Sequence, residues 1–138
     1  MIQKLQHFIK EISKTALHGY YKTNELEYKS KIDLVTEYDK AIERYLKECF
    51  EKEFSEYSIV GEEYGGDRSA QKQIIIDPID GTTNFVHQIP IFGISVGVVE
   101  NGHPVAGVVY NPVLDEMYTA QKGRGSYCNG KRLRVSNA

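Results

Sequence analysis

The sequence predicts an α+β fold, two helices packed on a largely antiparallel sheet, and three observations carry that expectation. From Ile2 to Ala16 and again from Tyr38 to Phe54 apolar residues recur at steps of three and four, the period of helices with one buried stripe. After Ser58 the grammar turns extended, with short β-branched runs and a stretch that alternates large and small residues. Asn101-Gly102 marks a tight hairpin between two such runs. Helices followed by a meander of strands put the helices on one face of an antiparallel layer.

The first helix is read from Ile2, Leu5, Phe8, Ile9, Ile12 and Ala16, with Gly19 as its stop. Residues Thr23 to Ser30 are polar without an apolar period and read as an exposed loop. A second stripe, Tyr38, Ile42, Tyr45, Leu46 and Cys49, closes with Phe50 and Phe54. Thr36 is a natural N-cap for it, and Asp39 three residues on resembles the reciprocal half of a capping box. Ser58-Ile59-Val60 opens the extended region, and Gly65 to Ser69 reads as a flexible loop. Gln73-Ile74-Ile75-Ile76 is a strand with no polar alternation, hence buried on both faces, and Pro78 ends it near Asp77 because proline cannot donate a ladder hydrogen bond. From Ile91 to Val98, Phe92, Ile94, Val96 and Val98 alternate with Gly93, Ser95 and Gly97, whose small face invites close approach by another layer. The hairpin returns the chain into Val105 to Tyr110, and turns at Asn111-Pro112, Asp115-Glu116, Gly123 to Gly125 and Asn129-Gly130 separate the remaining strands.

The 138 residues fit one domain with a real core. A formal net charge of −2 gives no electrostatic reason to expect nucleic acid or an anionic membrane as partner. The N-terminus carries Lys4 and Lys10 among its apolar residues, so no secretory leader is read there, and no run approaches the roughly 20 apolar residues of a membrane span. Cys49 and Cys128 lack metal-ligand spacing, and a disulfide framework needs more cysteines, so a reducing cytoplasm is the expected compartment.

The chemistry concentrates between Gly61 and Phe92. Asp77 and Asp80, split by Pro78 and Ile79, end an apolar run and lead into Gly81-Thr82-Thr83, while Gly61-Glu62-Glu63 puts another pair of acids after Ile59-Val60. Hard divalent cations such as Mg²⁺ take carboxylate, carbonyl, water and phosphate oxygens, which Glu62, Asp77, Asp80 and the carbonyl near Ile79 supply. Gly81 permits close backbone approach, and Thr82 to His87 can begin a short helix whose free N–H groups suit an anion. Adjoining cation and phosphate sites are what phosphate-ester hydrolysis requires. Other meanings fail: an EF-hand loop from Asp77 needs acids where Ile79 and Gln88 stand, a phospho-aspartate D-x-D pattern fails at Ile79, and the glycines after Gly61 lack a Gly-Lys-Ser/Thr ending. His7, His18, His87 and His103 show no ligand spacing. Asp39 is open between helix cap and catalytic acid.

Gly61-Glu62-Glu63 followed by Ile76-Asp77-Pro78-Ile79-Asp80-Gly81-Thr82-Thr83-Asn84-Phe85-Val86-His87 resembles the signature of the inositol monophosphatase family of Mg²⁺-dependent, lithium-sensitive phosphatases. The similarity runs from Asp33-Leu34-Val35-Thr36 through Gly123 to Asn129-Gly130. It implies that Glu62, Asp77 and the Ile79 carbonyl bind a first Mg²⁺ and that Asp77 and Asp80 hold a second, of two or three ions in all. It further implies that Gly81 and Thr82 present N–H groups to the substrate phosphate. The Thr82 hydroxyl, bonded to Asp39, would orient or deprotonate the attacking water with Glu62. Family members are about twice as long and carry a Trp-Asp-x-x-Ala-Gly motif in their second half, whereas this chain has no Trp. The chain therefore reads as the N-terminal half of an αβαβα sandwich of the sugar phosphatase type. Its expected reaction is hydrolysis of inositol monophosphate or a related sugar phosphate by in-line attack of a metal-activated water, in a homodimer. The rival expectation is a non-catalytic interaction or regulatory module, or an inactive truncated chain, that keeps the phosphatase scaffold.

Overall fold

The structure, a computed structural model, describes residues 1–137, the side chain of Glu25 excepted. Ala138, the end of the expected domain, lies outside the described residues. Helix α1 (Ile2–Lys22), a short 3-10 turn (Thr23–Glu25) and helix α2 (Tyr28–Glu53) precede strands β1 (Ser58–Val60) and β2 (Lys72–Asp80), the short helix α3 (Thr82–Val86) and strands β3 (Gly93–Glu100), β4 (His103–Asn111), β5 (Glu116–Gln121), β6 (Gly125–Cys128) and β7 (Lys131–Leu133). The seven strands form one sheet in chain order, with β1 parallel to β2 and every later pair antiparallel. Both long helices contribute to a single core, in which Leu5, Ile9, Ile42, Leu46 and Phe50 meet Ile74, Ile76, Ile94, Val96 and Val98. The fold is thus two helices on a mixed, mostly antiparallel sheet.

Both helices are longer than their periodicity predicts. Helix α1 runs through Gly19 because its stripe continues to Tyr20, which stacks on Phe92. Gly19 is a contact point and no stop, since a Cβ there would lie 2.8 Å from the Tyr38 ring of α2. The expected Thr23 to Ser30 loop shrinks to the 3-10 turn and the first turn of α2. Thr23 is fully buried and donates its hydroxyl to the Tyr20 carbonyl at 2.7 Å. The capping box is overturned as well: α2 starts at Tyr28, so Thr36 lies inside it and returns its hydroxyl to the Ile32 carbonyl at 3.1 Å. Burial of Val35, Ile42, Leu46 and Phe50 carries the helix, and its polar first turns follow from that anchoring.

In β2 the strand passes through Pro78 instead of ending before it. The register breaks between Asp77 and Asp80, so the missing N–H falls where no ladder bond is made. Ile74 and Ile76 are buried while Ile75 remains 39% exposed, so β2 is covered on one face only. The same holds in β3, where Ile94, Val96 and Val98 face the core and Gly97 has open space beside it. The layer expected against the small face is not formed by the described residues. The β3–β4 hairpin has its two tight residues, Asn101 (φ 50°) and Gly102 (φ 78°), in the left-handed region, as a type I′ turn demands. Among the described residues no helix is long and apolar enough to cross a membrane.

Candidate functional site

Helix α2 packs against β1, β2 and α3, and this brings its middle to the ends of the strands that carry the acids. Asp39 therefore sits inside a helix, half-buried, in the wall of a cavity of about 320 Å³ shared with Tyr28, Val35, Thr82, Thr83 and His87. Thr82 and Asp39 line this space without a hydrogen bond between them among the described residues. Burial first, then the charges of Asp77, Glu63, Glu62 and Glu43, push the Asp39 carboxyl from its ordinary 3.8 up to about 7. Because α2 begins at Tyr28, Asp39 caps no helix start.

At the end of β2, Asp77 and Asp80 lie on either side of the register break, with Pro78 and Ile79 buried between them. Burial and the neighbouring Asp80 and Glu62 raise the Asp77 carboxyl, offset in part by the Ile79 backbone N–H. Gly81 follows with φ 92°, and a Cβ there would lie 3.1 Å from the Ile91 carbonyl, so both conformation and space call for glycine. The first hydrogen bond of α3 runs from the Phe85 N–H to the Gly81 carbonyl at 3.0 Å. The preceding N–H groups have no partner within the helix, as at any helix start. Asn84 ties the far side of the loop by donating to the Ile91 carbonyl at 2.7 Å.

Gly61-Glu62-Glu63 leaves β1 in a turn closed by the Gly61 N–H on the Gly65 carbonyl at 2.8 Å. Both glutamates reach solvent. Beneath them lies Glu43, 1% exposed, which accepts the Glu63 N–H at 3.2 Å and the Tyr64 N–H at 2.7 Å. The sequence reading passes over this residue. Its signal was a position four residues after Asp39 and three before Leu46, on the buried stripe of α2, where a charge needs a partner. Electrostatically, then, Glu62, Asp77, Asp80 and Asp39 occupy one neighbourhood. Among the described residues, however, no group of three or more His, Cys, Asp or Glu side chains closes on a single point as a metal site.

The Asp39 environment carries a pH dependence. Between pH about 4 and about 7 the folded, cation-free chain holds a proton that the unfolded chain has released, so stability falls as pH rises through that window. Asp39→Asn removes the dependence. Discounted for partial exposure, it stabilises the cation-free chain by about 1–2 kcal/mol above pH about 7, a few degrees in melting temperature, and by almost nothing near pH 4. Melting curves of both proteins at the two pH values check this, and equal curves at the higher pH contradict it.

Residues 2–138 match the inositol monophosphatase family. A tomato (Solanum lycopersicum) protein named inositol monophosphatase 2 is 45% identical over 130 residues, covering 87% of this chain and 48% of its own. The structure of extragenic suppressor protein suhB from Bartonella henselae superposes with a TM-score of 0.84 at 31% identity, over 99% of this chain and 54% of that one. A structure of SaIMPase-II with inositol monophosphate bound gives a TM-score of 0.75 at 33% identity, over 99% and 50%. The chain spans about half the length of the curated relatives and solved structures it matches.

Proposed function

The chain belongs to the inositol monophosphatase family, and from that premise we propose that the whole protein hydrolyses inositol monophosphate or a related sugar phosphate with Mg²⁺ as cofactor. The observation that carries this reading is Asp39 and Thr82 lining one cavity, where burial first and then the charges of Asp77, Glu63 and Glu62 raise the Asp39 carboxyl to about 7. The donor set fits a hard divalent cation: it is all oxygen, and a cation offsets the burial and repulsion that together raise Asp39 and Asp77. Glu62, Asp77, Asp80 and the Ile79 carbonyl are the residues that would hold it. When bound, Mg²⁺ neutralises phosphoryl charge and acidifies a coordinated water.

The remaining roles fall to the chain's own groups. The N–H groups of Gly81 and Thr82 receive the phosphate oxygens, and glycine at the first of these positions lets the phosphate approach the backbone. The Thr82 hydroxyl, in the same cavity as Asp39, orients the attacking water and passes its proton toward Asp39.

The test is phosphate release from inositol monophosphate by the whole protein, with and without Mg²⁺. Thr82→Ala is expected to lower turnover by about 10²–10⁴-fold, the usual worth of a positioned proton-transfer group. Mg²⁺-independent release, or Asp80→Asn and Thr82→Ala variants as active as the parent, would rule the reading out.

A further inference from the structure

We propose that Glu43 is a positioning residue for Glu62: from inside α2 its carboxylate holds the backbone of the Gly61–Tyr64 turn and so aims the Glu62 side chain at the acids of β2. The inference rests on Glu62 serving as a cation ligand. Its geometry stands on two hydrogen bonds and one close approach. One carboxylate oxygen accepts the Glu63 N–H at 3.2 Å and the other the Tyr64 N–H at 2.7 Å, while a Cβ on Gly61 would lie only 2.3 Å from the carboxylate carbon. The turn is thus held at the two residues after Glu62 and closely packed at the one before it, while Glu62 itself is exposed and its charge acts on Asp77. Outer partners of this kind fix the orientation of a ligand without touching the ion.

The identity of the side chain matters. A buried carboxylate is costly unless donors meet it, and here two backbone N–H groups do so, one on each oxygen. An amide of equal volume offers one acceptor and turns its NH₂ toward the other N–H, donor against donor. Glu43→Gln therefore releases half the grip while preserving shape. Gly61→Ala attacks the same contact from the opposite side, since its methyl displaces the carboxylate and alters no acid.

Three readings on the whole protein test the proposal: amide hydrogen exchange at Glu63 and Tyr64, Mn²⁺ affinity by electron paramagnetic resonance, and turnover at saturating Mg²⁺. Glu43→Gln and Gly61→Ala are each expected to speed exchange at those two amides and to weaken Mn²⁺ binding about 10- to 100-fold. Turnover recovers toward the parent value once the cation saturates, a split that general destabilisation does not produce. Unchanged amides with unchanged affinity in both variants overturn the proposal, as does a turnover loss that saturating cation fails to restore. Glu62→Gln separates the underlying reading: the two amides stay protected while Mn²⁺ affinity collapses. Retained affinity in Glu62→Gln removes Glu62 from the ligand set, and with it this role for Glu43, whatever the amides of the Glu43 variant show.

Discussion

Asp77→Asn in the whole protein is expected to lower Mg²⁺-dependent phosphate release by about a thousandfold or more, equivalent to about 4 kcal/mol of transition-state stabilisation. Asp77 is the acid that the proposed site uses twice, and its carboxyl lies in the fields of both Asp80 and Glu62. The amide keeps the shape and loses the charge that draws the cation. The variant should fold at least as well as the parent when no cation is present, because its side chain reaches solvent and the substitution relieves repulsion. Phosphate release and cation-free melting curves, measured together, separate the two effects. Turnover within tenfold of the parent would remove Asp77 from the mechanism.

Phe50→Ala is expected to destabilise the fold by about 3–5 kcal/mol, through lost transfer energy and the cavity left behind. Phe50 is fully buried near the end of α2 and packs edge-on against Phe8 of α1 at 6.1 Å and obliquely against Phe54 at 6.0 Å. It thus fastens the two helices to each other as well as to the sheet. The loss corresponds to roughly 10–17 °C in melting temperature for a domain of this size. Ile91→Ala, at a side chain 64% exposed, provides the contrast and is expected to stay within about 0.5 kcal/mol. Urea midpoints compare the two, and equal shifts would show that the core is not where the structure has it.

The elements read most accurately were those whose signals are local. Asn101-Gly102 dictated its hairpin because both residues tolerate the left-handed backbone, and the stripes of both helices appeared in the spacing of Leu5, Ile9, Ile12, Ile42, Leu46 and Phe50. Pro78 misled because the rule that proline stops a strand assumes regular pairing, and here the pairing is broken at that residue. Thr36 and Asp39 misled because a cap sequence works only where a helix begins, and packing further along α2 moved its start to Tyr28. Ile75 looked buried because an apolar run does not reveal how many of its faces are covered.

By itself the sequence determined the local chemistry of the Asp77 to Thr82 segment: acids, a glycine able to take positive φ and a hydroxyl, in an order whose spacing is fixed by the bonds of the chain. It determined, too, that Glu62 follows a strand. Tertiary structure decided that Asp39 faces this segment, that β1 lies parallel to β2, and that Glu43, far away along the chain, is the buried carboxylate holding the Glu62 turn. The physical reason is the same in each case. Desolvation, repulsion and hydrogen bonding act between groups that packing brings together, and no short window of sequence contains both partners.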